Sequence, residues 1–302
     1  MKRYIKLAIG CALGVVGIVL VGLYVSSHDI AVLNPEGAIG IQQRNLIIFA
    51  TVLILLVIVP VFVMTFLIAW KYRAGNTKAT YQPDWDHNKT LERIWWGIPI
   101  AIILILAIVT VFTSHSLDPY RSLKSETKPL RVQVIALQWK WLFIYPEQAI
   151  ATTDYLQIPE KTPINFEITA DAPMNAFWIP KLGSQVYAMA GMSTQLHLIA
   201  DHTGEYQGSS ANISGEGFAH MNFKVKSTSR RDFDTWVHSV KGGDQVLTDQ
   251  VYKSLVKPTV LDKPRTYWLQ DEGLYDRVVM KYMMPMDDTS SETADHSGEN
   301  HQ

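Results

Sequence analysis

The stretch Ile164-Asn165-Phe166-Glu167-Ile168-Thr169 alternates apolar and polar side chains with period two. Successive side chains on a strand point to opposite faces, so such a segment offers one face to a core and one to solvent. The pattern recurs on both sides of it. Upstream, Trp139, Trp141, Phe143 and Tyr145 alternate with their neighbours. Downstream, Leu196 and Leu198 alternate with Gln195 and His197, and Met221, Phe223 and Val225 alternate with His220, Asn222 and Lys224. Turn formers punctuate these segments at Pro159, Pro163, Pro173, Pro180, Gly183 and Gly204. About 100 residues of short strands, 128–227, predict an all-β sandwich or barrel of half-buried strands.

Beyond Lys226 the apolar period becomes helical. Ser229 is placed to cap a helix, with Asp232 in its first turn, and Phe233, Trp236, Val237 and Val240 form one stripe. Val251, Tyr252 and Leu255 make a second stripe before Pro258, and Tyr275, Val278, Val279, Tyr282 and Met283 a third. Residues 228–286 therefore read as short C-terminal helices. The tail 287–302 has five acids and no Lys or Arg, a composition that predicts disorder.

Towards the N-terminus three runs carry no charge: Leu7 to Val25 (19 residues), Leu46 to Trp70 (25) and Ile94 to Phe112 (19). A bilayer core takes roughly 20 apolar residues of helix. The second and third runs predict transmembrane helices over 46–70 and 94–113, with Pro60 tolerated as a kink. Lys71, Arg73, Lys78, Lys89 and Arg93 crowd the 71–93 loop, whereas Arg44 is the only basic residue of 26–45. By the positive-inside rule 71–93 is cytoplasmic, and both 28–45 and the chain beyond Phe112, joined through a 114–127 linker, lie outside. Residues 1–27 fit either a signal peptide, with small residues at Ser26 and Ser27, or an uncleaved helix. Cys11 is the only cysteine, which excludes internal disulfides and multi-thiolate metal sites. The Leu7–Gly10 core before it is short for a lipoprotein signal. A net charge of −1 gives no reason to expect nucleic acid as a partner.

Several phrases resemble subunit II of the haem-copper respiratory oxidases, over roughly residues 30–285. Asn88-Lys89-Thr90-Leu91-Glu92, with Trp95 and Pro99, is similar to the stretch entering that subunit's second helix. Gln138-Trp139-Lys140-Trp141 resembles its aromatic strand, and Phe177-Trp178-Ile179-Pro180-Lys181-Leu182-Gly183 the loop after its first copper histidine. The resemblance implies an α+β membrane protein: a transmembrane hairpin, a cupredoxin-like Greek-key barrel and short C-terminal helices. In the branch that oxidises cytochrome c, this domain holds two coppers through a His, then Cys-x-x-x-Cys-x-x-x-His-x-x-Met, with a Glu between the cysteines. The matching stretch here is Gly208-Ser209-Ser210-Ala211-Asn212-Ile213-Ser214-Gly215-Glu216-Gly217-Phe218-Ala219-His220-Met221. Ser210 and Ser214 stand in the cysteine positions, Asn212 in the glutamate position, and Phe218 and Asn175 in the histidine positions. Met221 alone is kept. Bridging two coppers takes soft thiolates, which neutral hydroxyls cannot replace. The substituted positions therefore predict no metal or other cofactor in this chain.

That pattern, with Trp139-Lys140-Trp141-Leu142-Phe143-Ile144-Tyr145-Pro146-Glu147-Gln148 and Leu182-Gly183-Ser184-Gln185-Val186-Tyr187-Ala188-Met189-Ala190-Gly191-Met192, resembles the cytochrome bo-type ubiquinol oxidases. The resemblance implies haem and copper in a partner subunit I, further membrane subunits, ubiquinol as substrate of the complex, no soluble cytochrome c, and a bacterial inner-membrane location with the β domain in the periplasm. It also places Glu92 at the mouth of a proton-uptake path. Position alone reads Glu92 as a first-turn acid favoured by the helix dipole. His197, His202 and His220 read as solvated surface groups and Met221 as core. A membrane-tethered binding module without a respiratory partner is the competing reading. A hydrolase has no supporting motif, and Ser210 and Ser214 are better read as replaced ligands than as nucleophiles.

Overall fold

The computed structural model describes residues 14, 16–17, 19–77, 79–80, 87–123, 125 and 127–283. The expectations for Cys11, Lys78 and the 287–302 tail lie outside these residues. So does most of the charged start of the chain.

Among the described residues, two helices are long and apolar enough to cross a membrane: α1, Ala38–Lys71, and α2, Lys89–Ser116. Both exceed the uncharged runs 46–70 and 94–113. At 34 residues α1 is about 51 Å long at 1.5 Å per residue, well beyond a bilayer core of roughly 30 Å. Its extra first turns are held by the β domain, where the Gly40 amide donates to Leu182 O at 3.0 Å and Gln43 Nε2 to Ser184 Oγ at 2.9 Å. Residues 38–45, expected as part of an outer connecting segment, are thus helical through tertiary contact. Helix α2 starts early because Asn88 caps it, its Oδ1 accepting from the amides of Thr90 and Leu91.

The β domain has two sheets. One holds seven strands in the order β11-β12-β3-β2-β1-β5-β8, and the other five in the order β4-β10-β9-β6-β7. The strands are β1 (Leu130–Leu137), β2 (Lys140–Tyr145), β3 (Ile150–Thr153), β4 (Tyr155–Pro159), β5 (Ile164–Ala170), β6 (Asn175–Trp178), β7 (Val186–Ala188), β8 (Thr194–Leu198), β9 (Gly204–Ser210), β10 (Asn222–Thr228), β11 (Val246–Leu247) and β12 (Arg265–Leu269). Pairs β1–β5, β4–β10 and β11–β12 run parallel, and the other pairs antiparallel. Between the sheets lies an aromatic core. Phe177 stacks on Phe223 with centroids 5.3 Å apart, and Trp141 meets both rings edge-on.

The alternation expected along β2 holds, but both faces of β2, and of β1 beyond the exposed Arg131, are buried. Val132, Val134, Trp141, Phe143 and Tyr145 fill the inter-sheet core. Their alternates Ile135, Leu137, Leu142 and Ile144 fill a second core against Tyr252, Leu255, Tyr267, Leu269, Leu274, Tyr275 and Val278. The 228–286 region is therefore not helical throughout. It supplies helices α3 (Arg230–Lys241), α4 (Asp249–Val256) and α5 (Leu274–Lys281), and also β11 and β12, which extend the sheet beyond β3. Helix α3 matches its stripe: Ser229 Oγ accepts from the Asp232 amide, and Phe233, Val237 and Val240 are buried. Trp139 is not on the aromatic strand but in the β1–β2 turn, with φ 67°. His197, expected in solvent, is buried under the linker after α2, its Nδ1 bonded to Pro119 O at 2.8 Å.

Candidate functional site

The positions that the resemblance aligns with copper ligands lie at one end of the sandwich, where β6, β9 and the loop into β10 converge. Pairing of β6 with β9 sets Phe177 opposite Ser210, so Asn175 and Ser210 become neighbours despite their separation in sequence. The Ser210 amide donates to Met221 O at 3.1 Å, and the Ala211 amide to Ala176 O at 3.1 Å. These bonds draw the loop ends together. Asn175, Ser210 and Met221 are buried, Asn212, Ser214 and Phe218 half-buried.

Asn175, Ser210 and Asn212 come together beside Met221, and hydrogen bonds tie them to one another and to nearby backbone, while the Ser214 hydroxyl is buried with no partner among the described residues. Ser210 Oγ lies 3.1 Å from Asn175 Oδ1 and 3.2 Å from Asn212 O, both acceptors for its single proton. The same oxygen stands 3.5 Å from the amides of Ala176 and Asn212, which donate towards it. Asn175 Nδ2 donates to Pro173 O at 2.7 Å, and Asn212 Nδ2 to Met174 O at 2.8 Å. Phe218 opens a short 3-10 turn, Phe218–His220, and Met221 belongs to the inter-sheet core. A copper pair would need thiolate and imidazole lone pairs facing inward. The neutral amides and hydroxyls at these positions do not fit it.

Two parts of this site had no clear signal in the sequence. Trp139 covers the loop, its Nε1 donating to Ser214 O at 3.3 Å. Gly215, at φ +116°, and Gly217 admit the indole: a Cβ on Gly217 would stand 2.3 Å from Trp139 Cδ2. Two glycines one residue apart in a loop were the only hint. The other part is Asp171, at the end of β5. Its carboxylate accepts from Tyr252 Oη at 2.7 Å, Lys281 Nζ at 2.7 Å and Tyr282 Oη at 2.5 Å. Burial alone would push this carboxyl up, but the bonds from Lys281, Tyr282 and Tyr252 outweigh it and hold it below the ordinary carboxylate range. The cluster ties α4 and α5 to the β domain.

Glu92 is not part of this assembly. It sits exposed in the first turn of α2, with its amide donating to Asn88 O at 2.9 Å.

Comparison with known proteins gives this architecture a place. The family profile described as cytochrome c oxidase subunit II, periplasmic domain, matches residues 148–228, and that of the COX aromatic rich motif matches 241–286. The cytochrome bo(3) ubiquinol oxidase subunit 2 of Pseudomonas putida is 50% identical over 260 residues, covering 86% of this chain and 83% of that one. The ubiquinol oxidase subunit 2 of Acetobacter aceti is 48% identical over 263 residues, covering 86% and 85%. The Pseudomonas aeruginosa cytochrome bo(3) ubiquinol oxidase subunit 2 is 46% identical over 280 residues, covering 93% and 85%. Among solved structures, the periplasmic domain of subunit II of the Bradyrhizobium japonicum cytochrome oxidase is 20% identical, covers 40% of this chain and 98% of that one, and has a TM-score of 0.38. With half its residues shared over most of both lengths, the chain belongs to the subunit 2 family of the haem-copper ubiquinol oxidases.

Proposed function

We propose that this chain is the non-redox second subunit of a proton-translocating oxidase that takes electrons from ubiquinol and reduces oxygen to water. The observation that carries the reading is the buried bond between Ser210 Oγ and Asn175 Oδ1. It joins two positions that the copper-bearing branch gives to a cysteine and a histidine, and it leaves no soft donor at either. Without that relay a soluble cytochrome c has no point of entry. Electrons then pass from quinol in the bilayer to haem and copper in subunit I. This chain's part is to anchor by α1 and α2 in the bacterial inner membrane, to cover the outer face of subunit I from the periplasm, and to support assembly with the further membrane subunits.

Glu92 is the residue of this chain proposed to take part in proton uptake. Its exposed carboxylate at the inner end of α2 suits collection of protons for a path in subunit I. Glu92→Ala is expected to slow oxygen reduction with assembly and haem content intact; unchanged turnover of the purified variant would sink the assignment.

The test of the whole reading is an affinity pull-down of the chain from gently solubilised membranes. Oxygen uptake by the eluate is then measured with ubiquinol and, separately, with reduced cytochrome c. A haem-containing eluate driven by ubiquinol and not by cytochrome c is expected. Uptake driven by cytochrome c would overturn it.

A further inference from the structure

Methionines are concentrated on the outer domain in a place that packing does not explain. Met192 is 49% exposed, Met280 46% and Met283 58%, while Met189 is half-buried. A side chain kept out of water stabilises a fold by roughly 1.5–3 kcal/mol, so three methionines left open together call for another account.

The four belong to two short turns of the same design. In the turn between β7 and β8, the Met192 amide donates to Met189 O at 3.4 Å. At the end of α5, the Met283 amide donates to Met280 O at 3.0 Å. Each bond folds a pair of methionines three residues apart over a single turn. The two turns abut: a Cβ on Gly191 would stand 3.2 Å from Tyr282 Cβ and 3.3 Å from Tyr282 O. Gly191 has φ +73°, which a side chain would strain. The approach therefore depends on glycine at that point, between Met189 and Met192, and it falls between Met280 and Met283 on the other turn.

The flanks of both turns are fixed. Ser193 Oγ shares a 2.8 Å hydrogen bond with Tyr275 Oη. Lys281 Nζ and Tyr282 Oη both bond Asp171 Oδ1. Lys281, adjacent to Met280 in the chain, is thus paired with a buried carboxylate rather than left to repel a second cation. Support of this kind holds ligand-bearing segments in place before a ligand arrives.

We propose that Met189, Met192, Met280 and Met283 form a thioether site for a soft monovalent metal ion, Cu(I). Thioethers select Cu(I) over the harder divalent ions. They carry no proton to lose, so binding here does not depend on pH as it does for imidazole or thiolate ligands. The site lies outside the replaced dinuclear positions and does not rest on the proposed electron path.

The test uses the purified oxidase complex containing this chain, titrated with Cu(I) under reducing conditions against a chromophoric Cu(I) chelator, and with Ag(I) as a redox-inert probe. The comparison is the fourfold variant M189L/M192L/M280L/M283L, with Met284 and Met286 kept. Leucine preserves volume and apolarity, so folding and any apolar docking on this face are retained. The wild type is expected to take up about one more equivalent of Cu(I) than the variant, unchanged between about pH 5 and about pH 8. X-ray absorption of that copper should show sulfur ligation alone, with quinol-driven oxygen uptake equal in both proteins. The two-residue variants M189L/M192L and M280L/M283L should each weaken binding by about tenfold or more, because either turn alone leaves an incomplete ligand set. Equal Cu(I) uptake by wild type and the fourfold variant overturns the proposal, as does nitrogen or oxygen ligation of the extra copper. Uptake that only one turn controls would also overturn the two-turn site.

Discussion

Asp171 offers the sharpest test of how the C-terminal region is held. Replacing it with alanine removes the acceptor for Tyr252 Oη, Lys281 Nζ and Tyr282 Oη at once. The three losses are unequal. Tyr252 is buried, so its hydroxyl would be left without a partner and without water, which with the lost charge-assisted bond amounts to about 2 kcal/mol. Lys281 and Tyr282 are half-exposed and can turn to solvent, so together they add about 1 kcal/mol. A total near 3 kcal/mol makes opening of α4 and α5 roughly a hundredfold more frequent, at about 1.4 kcal/mol per tenfold. The assay is amide hydrogen exchange across 249–281 in the solubilised complex, with β1 and β5 as internal reference. Asp171→Asn, which keeps an acceptor but not the charge, should fall between wild type and alanine. The sign of the pH effect follows from the depressed carboxyl of the folded state. Its contribution is present above the unfolded value near 3.8 and is lost as pH falls through the lower folded value. Unaltered protection of 249–281 in Asp171→Ala would refute the reasoning, and so would equal acceleration in β1 and β5.

The remaining predictions concern the same domain. Burial pushes the Asp154 carboxyl up to about 7, against the Trp141 amide that it accepts from and the nearby Lys140 ammonium. The folded state therefore holds that proton more tightly than the unfolded chain, so the contribution is complete below about 3.8 and is lost as pH rises through about 7. Asp154→Asn keeps the acceptor, tolerates the local φ of 53°, and should flatten the dependence of the melting midpoint on pH within that window; an unchanged slope would count against it. Lys140 is fully buried and donates to Leu255 O and Lys257 O, both at 2.9 Å, at the end of α4. Lys140→Met leaves those carbonyls short of a donor and should cost about 2–3 kcal/mol, read by denaturant unfolding. Gly217→Ala drives a methyl into the Trp139 indole, should cost about 1–3 kcal/mol, and should change indole fluorescence as Trp139 leaves the loop.

What could be read from the chain was whatever depends on local period. Strand alternation, the two membrane-length runs, the Ser229 cap and the stripe of α3 are properties of neighbouring residues, and the fold keeps them. What could not be read depends on what lies across the sheet. Leu142 and Ile144 alternate with Trp141 and Phe143 as solvent-facing positions would, and only docking of α4, α5 and β12 buries them. Residues 265–269 pair with β3 through contacts more than a hundred residues apart in sequence, which no window registers. His197 looks polar-faced until the linker after α2 folds over it. Residues 38–45 lack the apolar run of a membrane helix, yet they are helical because Leu182 and Ser184 hold them. Chain-distant partners also explain why the Asp171 cluster had no sequence signal, since its donors lie 81 to 111 positions away.

The side chains of the Ser210–Met221 loop could be picked out of the chain as a pattern, but the bonds that close the loop could not. The structure shows what holds that loop in place. The loop from Ser210 to Met221 is closed by the Ser210 amide on Met221 O, the Ala211 amide on Ala176 O of β6 and the Trp139 indole on Ser214 O, all of which use backbone carbonyls rather than the side chains of the loop. Beneath it, Trp141, Phe143, Phe177 and Phe223 pack the two sheets together. Asn175 and Ser210 then satisfy each other in a place where unpaired polar atoms would each cost about 1–3 kcal/mol. Ser210→Cys alone would therefore replace the hydroxyl bonded to Asn175 Oδ1 with a thiol, a much weaker donor. The hydrogen-bonded pair therefore contributes to the stability of the domain directly, as two buried polar groups that satisfy each other where neither can reach water.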